Sequence, residues 1–294
     1  MLRILLLLAT NMAVMLLATV TLNLLGVGPW LSNRGINYGS LLITGAVIGF
    51  GGAFISLAIS KWMAKRTMGV VLIQTPRNDT EAWLLATVRR EATAAGIGMP
   101  EVGIFDSAEP NAFATGASRH AALVAVSSGL LARMGRAEAE AVVGHEITHV
   151  ANGDMVTLTL IQGVVNTFVF VLSRVIGNLV DGALRGDRSD RGPGIGFWVA
   201  TMVSQLVLGL FANMIVMWFS RRREFRADAG GARLAGRQSM IGALQALERT
   251  PSEGLPQAMQ AFGVKGPDRV SGLQRLFMSH PPLEERIAAL REAP

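Results

Sequence analysis

Long apolar runs dominate the order of hydrophobic and polar positions. Ile4 to Leu31 and Leu41 to Ile59 carry almost no charge, and two more runs follow at about Val156 to Val180 and Ile195 to Phe219. Each is about as long as, or longer than, the roughly 20 residues a helix needs to cross a bilayer core. The pattern predicts four transmembrane helices in two hairpins. Asn166, Arg174 and Asn178 interrupt the third run, so a kinked or interfacial helix remains an alternative there. Met1-Leu2-Arg3 ahead of a leucine-rich stretch resembles a cleavable signal, but an h-region of about 7–15 residues is much shorter than this run, which therefore reads as an anchor.

The polar stretches have shorter periods. Val70 to Gln74, Glu101 to Phe105 and Ala122 to Ser127 read as strands, with "EPNAFATG", Glu109 to Gly116, as a turn leading into a short extended edge. Asn78 or Asp79 caps a helix from about Thr80 to Ala95, and a second helix runs from about Arg136 to Ala151. The tail is mostly helical, broken at "SHPP", where Pro281 disfavours helix at His280. The chain then divides into an N-terminal hairpin (1–60), a polar segment (61–153), a second hairpin (154–219) and a polar tail (220–294). The fold class is a mainly α integral membrane protein with a cytoplasmic α+β domain.

Composition agrees: of 294 residues 50% are hydrophobic and 16% charged, against about 25% charged in a soluble domain. The net charge of +6 invites a nucleic-acid reading, but the basic residues gather beside the apolar runs. Arg3, Lys61, Lys65, Arg66, Arg221, Arg222, Arg223 and Arg226 fall on one side of the membrane, with only Arg34, Arg185, Arg188 and Arg191 on the other. The positive-inside rule explains that bias without nucleic acid and sets the N-terminus in the cytoplasm. With no cysteine, any metal is held by His, Asp or Glu.

Candidate chemistry sits in "VVGHEITHVANGD", Val142 to Asp154. On a helix, His145 and His149 are one turn apart on one face, close enough to share an ion. Glu146 lies beside the pair, where a carboxylate can take a proton from water activated by the metal. Half of the chain's 4 histidines lie in this pentapeptide, on what reads as the polar face of a helix otherwise made of Ala and Val. A catalytic zinc takes three protein ligands and leaves one position open. "SRRREFRAD", Ser220 to Asp228, offers Glu224 as the third ligand, with Asp228 one turn on to orient a ligating imidazole. Charge balance among the arginines is the plainer reading of those acids. Two spans separate His149 from Glu224, and an even number of crossings returns the chain to the same membrane face.

"HEITHVANGD", "SRRREFRAD", "PNAFATG" and "SHPPLEERI", in this order on a chain with two apolar hairpins, resemble the HtpX family along essentially the whole length. Those are bacterial membrane zinc metalloproteases of heat-shock quality control, distant relatives of the CAAX prenyl proteases. The resemblance implies one Zn2+ per chain on His145, His149 and Glu224, with Glu146 as catalytic base. It implies Asp228 as a partner of a ligand histidine, and Asn111, Ala112, Phe113 and Ala114 as an edge against which substrate backbone aligns. His280 has three readings: oxyanion donor, cap on the metal, or helix-start residue. The function implied is an endopeptidase of the bacterial inner membrane acting on membrane or membrane-associated, misfolded polypeptides at the cytoplasmic face. Its partners are those substrates and the lipid bilayer, with no nucleic acid. Alternatives are a processing enzyme for lipidated or terminal motifs, and a scaffold or transporter holding a structural metal, which four ligands would normally close.

Overall fold

Nothing in the second apolar run stops a helix before Gly69, whose φ of 62° is left-handed, and helix α1 accordingly runs from Tyr38 to Thr67. The computed structural model describes residues 37–185, 193–249, 276 and 278–293. The first predicted span lies outside them. Strand β1 (Val71–Leu72) and helix α2 (Asp79–Ala94) follow, then β2 (Glu101–Phe105), β3 (Ala112–Thr115), β4 (Leu123–Ser127) and α3 (Ser128–Arg133). Helices α4 (Arg136–Asn152), α5 (Asp154–Arg185), α6 (Ile195–Ala235), α7 (Arg237–Arg249) and α8 (Leu283–Glu292) complete the described chain. Asn78 is the N-cap of α2, its side chain accepting the Glu81 N–H at 2.8 Å.

Among the described residues three helices, α1, α5 and α6, are long and apolar enough to cross a membrane. The third predicted run is one unbroken helix of 32 residues. Its polar residues bond within it, Asn178 donating to the Arg174 carbonyl and Thr167 to the Gly163 carbonyl. The fourth does not stop at Phe219 but continues to Ala235, carrying "SRRREFRAD" on the helix that spans the apolar stretch.

The chain forms two compact units, and α1, α5 and α6 contribute residues to both. The first contains the described residues of Met1–Ile55 and Thr159–Ile215. Here glycines permit close helix contact: a Cβ on Gly49 would meet the Gly163 carbonyl at 2.8 Å. Asp181 accepts the Gly194 and Phe197 amides and so caps the start of α6. Leu206 is 67% exposed and Leu210 58%, a face suited to lipid and not to water.

The second unit, Ser56–Leu158 with Val216–Pro294, holds the sheet. Strand order is β1-β2-β4-β3, with β2 and β4 parallel and the outer pairs antiparallel. Alternation sorts its side chains onto two faces. Val102, Ala112, Ala114, Val124 and Val126 join a core with α2, α4, α7 and α8, while Phe105, Phe113, Leu123 and Ala125 pack with Ala64 of α1 and Met68 just beyond it. Lys61 and Lys65 of α1 clasp Glu101 at 2.8 and 2.6 Å.

Candidate metal centre

Helix α4 is buried almost all round from Ala139 to Val150, which corrects the polar face expected for the histidines: His145 is 1% exposed and His149 5%. A buried imidazole needs partners, and α6 supplies them. The two helices approach closely because Gly231 lies against α4, where a Cβ would meet the His145 nitrogen at 3.0 Å and the Ala141 carbonyl at 3.1 Å. Gly144 faces the same crossing, 3.3 Å from the Gly231 Cα by the same construction.

That crossing sets Glu224 between the histidines. His145 Nε2 lies 3.1 Å from His149 Nε2 and 3.4 Å from Glu224 Oε2, and His149 Nε2 lies 3.3 Å from Glu224 Oε1. Ligands at about 2.05 Å from a tetrahedral ion stand about 3.3 Å apart, so each of these contacts has the spacing of two corners around one such ion, the two imidazoles meeting different oxygens of Glu224. Two imidazoles and a carboxylate suit zinc-like metals and not the oxygen-seeking Ca2+ or Mg2+. Glu224 is wholly buried, and its Oε1 receives no hydrogen bond. An orphaned buried oxygen of this kind fits a metal ligand.

Outer groups hold the ligands in place. His145 Nδ1 lies 2.9 Å from Asp228 Oδ1 in a close but bent approach. Asp228 also receives the fully buried Arg286 in a two-pronged contact, Nε to Oδ2 at 2.8 Å and Nη2 to Oδ1 at 2.6 Å. On the other histidine, Nδ1 meets Asp154 Oδ2 at 2.6 Å. Gly153 makes this geometry: at φ 68° it ends α4, and the next residue begins α5 with its carboxylate turned back to His149. His280 Nδ1 sits 2.7 Å from Glu224 Oε2. Arg221 steadies the segment before His280 by donating to the carbonyls of Leu276 and Met278 at 3.3 and 2.9 Å.

The sequence reasoning missed Asp154 and Arg286, though both left a trace. Asp154 follows a helix-ending glycine five residues after His149. Arg286 takes an apolar position in the series Leu283, Ile287 and Leu290. Glu146 is 5% exposed on α4, one step from His145. The candidate edge is β3, which pairs with β4 alone among the described strands, although Asn111, Ala112, Phe113 and Ala114 are 1–8% exposed.

The buried charges are unequal. Glu146, Asp154, Glu224 and Asp228 share the site with one buried arginine, Arg286, among the described residues. Burial disfavours a charged imidazole at His149, but Glu224 and the hydrogen bond to Asp154 outweigh it and lift its pKa to about 9. Burial likewise opposes charge on Arg286, and Asp228 more than reverses that. The surplus of acid is what a divalent cation offsets.

The model of peptidase family M48 matches residues 78–294, which include every one of these residues. The chain belongs to peptidase family M48. Along 98% of its length it is 62% identical to a Protease HtpX homolog of Thiobacillus denitrificans and 60% identical to Protease HtpX of Nitrosococcus oceani, covering 98% of each. The crystal structure of S. mikatae Ste24p shares the fold, with a TM-score of 0.60 at 19% identity over 94% of this chain and 67% of that one. With membrane-length helices and a His-His-Glu cluster, this member of the family is a membrane-embedded metalloprotease.

Proposed function

We propose that the metal is zinc, held by His145, His149 and Glu224, and that the enzyme cleaves misfolded or membrane-associated polypeptides at the cytoplasmic face of the bacterial inner membrane. The 3.1–3.4 Å contacts among the two Nε2 atoms and the carboxylate of Glu224 carry this reading. Zinc bound there supplies Lewis acidity, polarising a scissile carbonyl and lowering the pKa of a water towards ~7. Glu146 takes the proton from that water and passes it to the leaving amine. Asp154 and Asp228 hold the two imidazoles in the tautomer that leaves Nε2 free for the metal. His280 steadies Glu224 by donating its Nδ1–H to the carboxylate. Substrate backbone aligns along β3, so recognition there is sequence-tolerant. The protease domain is assembled from segments 61–153 and 220–294.

The cytoplasmic orientation rests on the residues at the helix ends. Trp62, 60% exposed, precedes Lys65 and Arg66, and Trp218, 46% exposed, precedes Arg221 to Arg223. Aromatic residues belt both interfaces, and the basic residues beside these two, Lys61 included, mark the cytoplasmic one.

The test compares purified wild type with Glu146→Gln. Peptide hydrolysis should vanish in the variant, while zinc content stays near one ion per chain. Loss of zinc in Glu146→Gln equal to that in His145→Ala would refute the assignment of Glu146 as base.

A further inference from the structure

Helix α5 carries a polar stripe that the metal centre does not use. Gln162, Asn166, Phe170, Arg174 and Asn178 recur at every fourth position, a 400° rotation that winds one continuous ridge along the helix. Phe170 is buried, and the four polar residues are half-buried. Their bonds run along the ridge itself. Gln162 Nε2 donates to Asn166 Oδ1 at 2.8 Å, Arg174 Nη1 to the Phe170 carbonyl at 3.2 Å, and Asn178 Nδ2 to the Arg174 carbonyl at 2.8 Å. The Arg174 guanidinium also lies 3.4 Å from the Phe170 ring centre.

These bonds leave most of the stripe's capacity unused. A guanidinium has five N–H donors and an amide side chain two donors and an acceptor. Among the described residues, Arg174 thus spends one donor, Asn166 neither of its own, and Gln162 and Asn178 keep a carbonyl each. Hydrocarbon satisfies none of these groups, and an ionisable residue inside a membrane helix marks a site of interaction by default.

We propose that the stripe is a docking site for the transmembrane segment of a substrate, selecting segments that carry polar or acidic side chains. This rests on the reading that membrane proteins are substrates. The free groups are mainly donors, so a carboxylate or amide on the incoming helix complements them. The physical logic fits quality control. In an assembled membrane protein such side chains are paired within the bundle, and only in an orphaned or misfolded one do they face lipid. The stripe therefore reads the defect itself. It begins eight residues after Asp154 on the same helix, and Asp154 is the residue that holds a proposed metal ligand.

The experiment uses the full-length enzyme in lipid nanodiscs with two substrates. Both carry the same cleavable cytoplasmic tail, one on an all-leucine transmembrane helix and the other on that helix with a single central Asp. Interhelical polar contacts in membranes translate into about three- to tenfold in affinity. The Asp substrate should be cleaved with a kcat/KM higher by that factor, mainly through KM. Asn166→Leu and Arg174→Leu should move the ratio towards one. A second measurement works without turnover, in case those variants misfold. With Glu146→Gln also carrying Val169→Cys, that cysteine should cross-link more to a cysteine in the Asp substrate's helix than to one in the leucine substrate's. A ratio of one in the wild type, a ratio untouched in both variants, or Val169→Cys linking two copies of the enzyme instead would each overturn the proposal. If neither substrate is cleaved, the reading that membrane proteins are substrates fails, while cross-linking still tests the docking site.

Discussion

Replacing Asp154 separates metal positioning from fold stability. In the wild type, Asp154 Oδ2 holds His149 Nδ1 at 2.6 Å, with both residues at or below 5% exposure. Carboxylates in this role typically contribute 10–100-fold to metal affinity, or about 1.4–2.7 kcal/mol. Asp154→Ala should lower zinc affinity by that factor. Asp154→Asn keeps an acceptor oxygen but loses the charge. A charged hydrogen bond exceeds a neutral one by about 1 kcal/mol, so the loss should be about fivefold. Asp228→Ala is the contrast, because Asp228 also holds the wholly buried Arg286. Removing one partner of a buried ion pair costs about 3–5 kcal/mol, so that variant should lose both zinc and thermal stability. The assay is zinc competition with a chromophoric chelator on detergent-purified protein, paired with melting of the chelator-treated enzyme. If Asp154→Ala binds zinc within twofold of wild type, or melts as low as Asp228→Ala, the assigned role is wrong.

Other outcomes follow from the same structure. Glu91 is 1% exposed with neither oxygen hydrogen-bonded, and burial, aided by Glu140, lifts its pKa from 4.5 to about 8. The native state therefore binds the extra proton between those values, and its stability is full below pH 4.5 and falls as pH rises through 8, by up to ~5 kcal/mol. Glu91→Gln should flatten that slope in melting curves at pH 5–8.5, and an unchanged slope would refute it. Gly231→Ala forces α6 away from the backbone of α4, and by the usual cost of overpacking should lose about 1–3 kcal/mol of stability together with zinc affinity. Wild-type values for both would show the crossing to be slack. Glu224→Ala should emerge from purification without metal, as measured by atomic absorption. Arg66→Cys and Arg226→Cys, in a chain with no native cysteine, should be shielded from membrane-impermeant reagents in intact cells, and labelling of either would invert the proposed topology.

Much of this architecture was legible because its signals are local. Strand β2 lies where alternation predicts it, and α2 and α4 end within a residue or two of their predicted limits, since capping groups and helix-ending glycines act within a few residues. The pairing of the histidines with Glu224 could be suggested from spacing, but the approach that joins them depends on Gly231 meeting α4, a contact 86 positions from His145 along the chain. Hydropathy placed the end of the fourth span at Phe219, where lipid-facing residues stop. Nothing there breaks a helix, so the backbone continues for four more turns. Arg286 escaped notice because a charged residue among "LEER" reads as a solvated face. Its partner Asp228 lies on another helix, and such pairing is invisible to any periodic pattern.

The continuity of α6 gives the site a constraint that separate helices would not. Glu224 and Asp228 lie one turn apart on one face, and a helix rotates 100° per residue. A slip of a single residue would turn both acids away from His145 and His149. Two sets of forces fix that rotation. Apolar residues such as Leu206 and Leu210 favour lipid, with Trp218 and Arg222 stacked at 5.0 Å near their end, while Gly231 and the acids answer to α4. Both must agree within a fraction of a turn for the two oxygens of Glu224 to stay 3.4 and 3.3 Å from the two Nε2 atoms. Inserting one alanine between Phe219 and Ser220 would set them in conflict by 100°. The expected result is a protein that still inserts in the membrane but no longer retains zinc. Inserting four alanines, 400°, should restore much of the rotation though not the height, and so recover zinc only in part. Full zinc retention by the single-residue insertion would show that the helix unwinds at Ser220 and transmits no register.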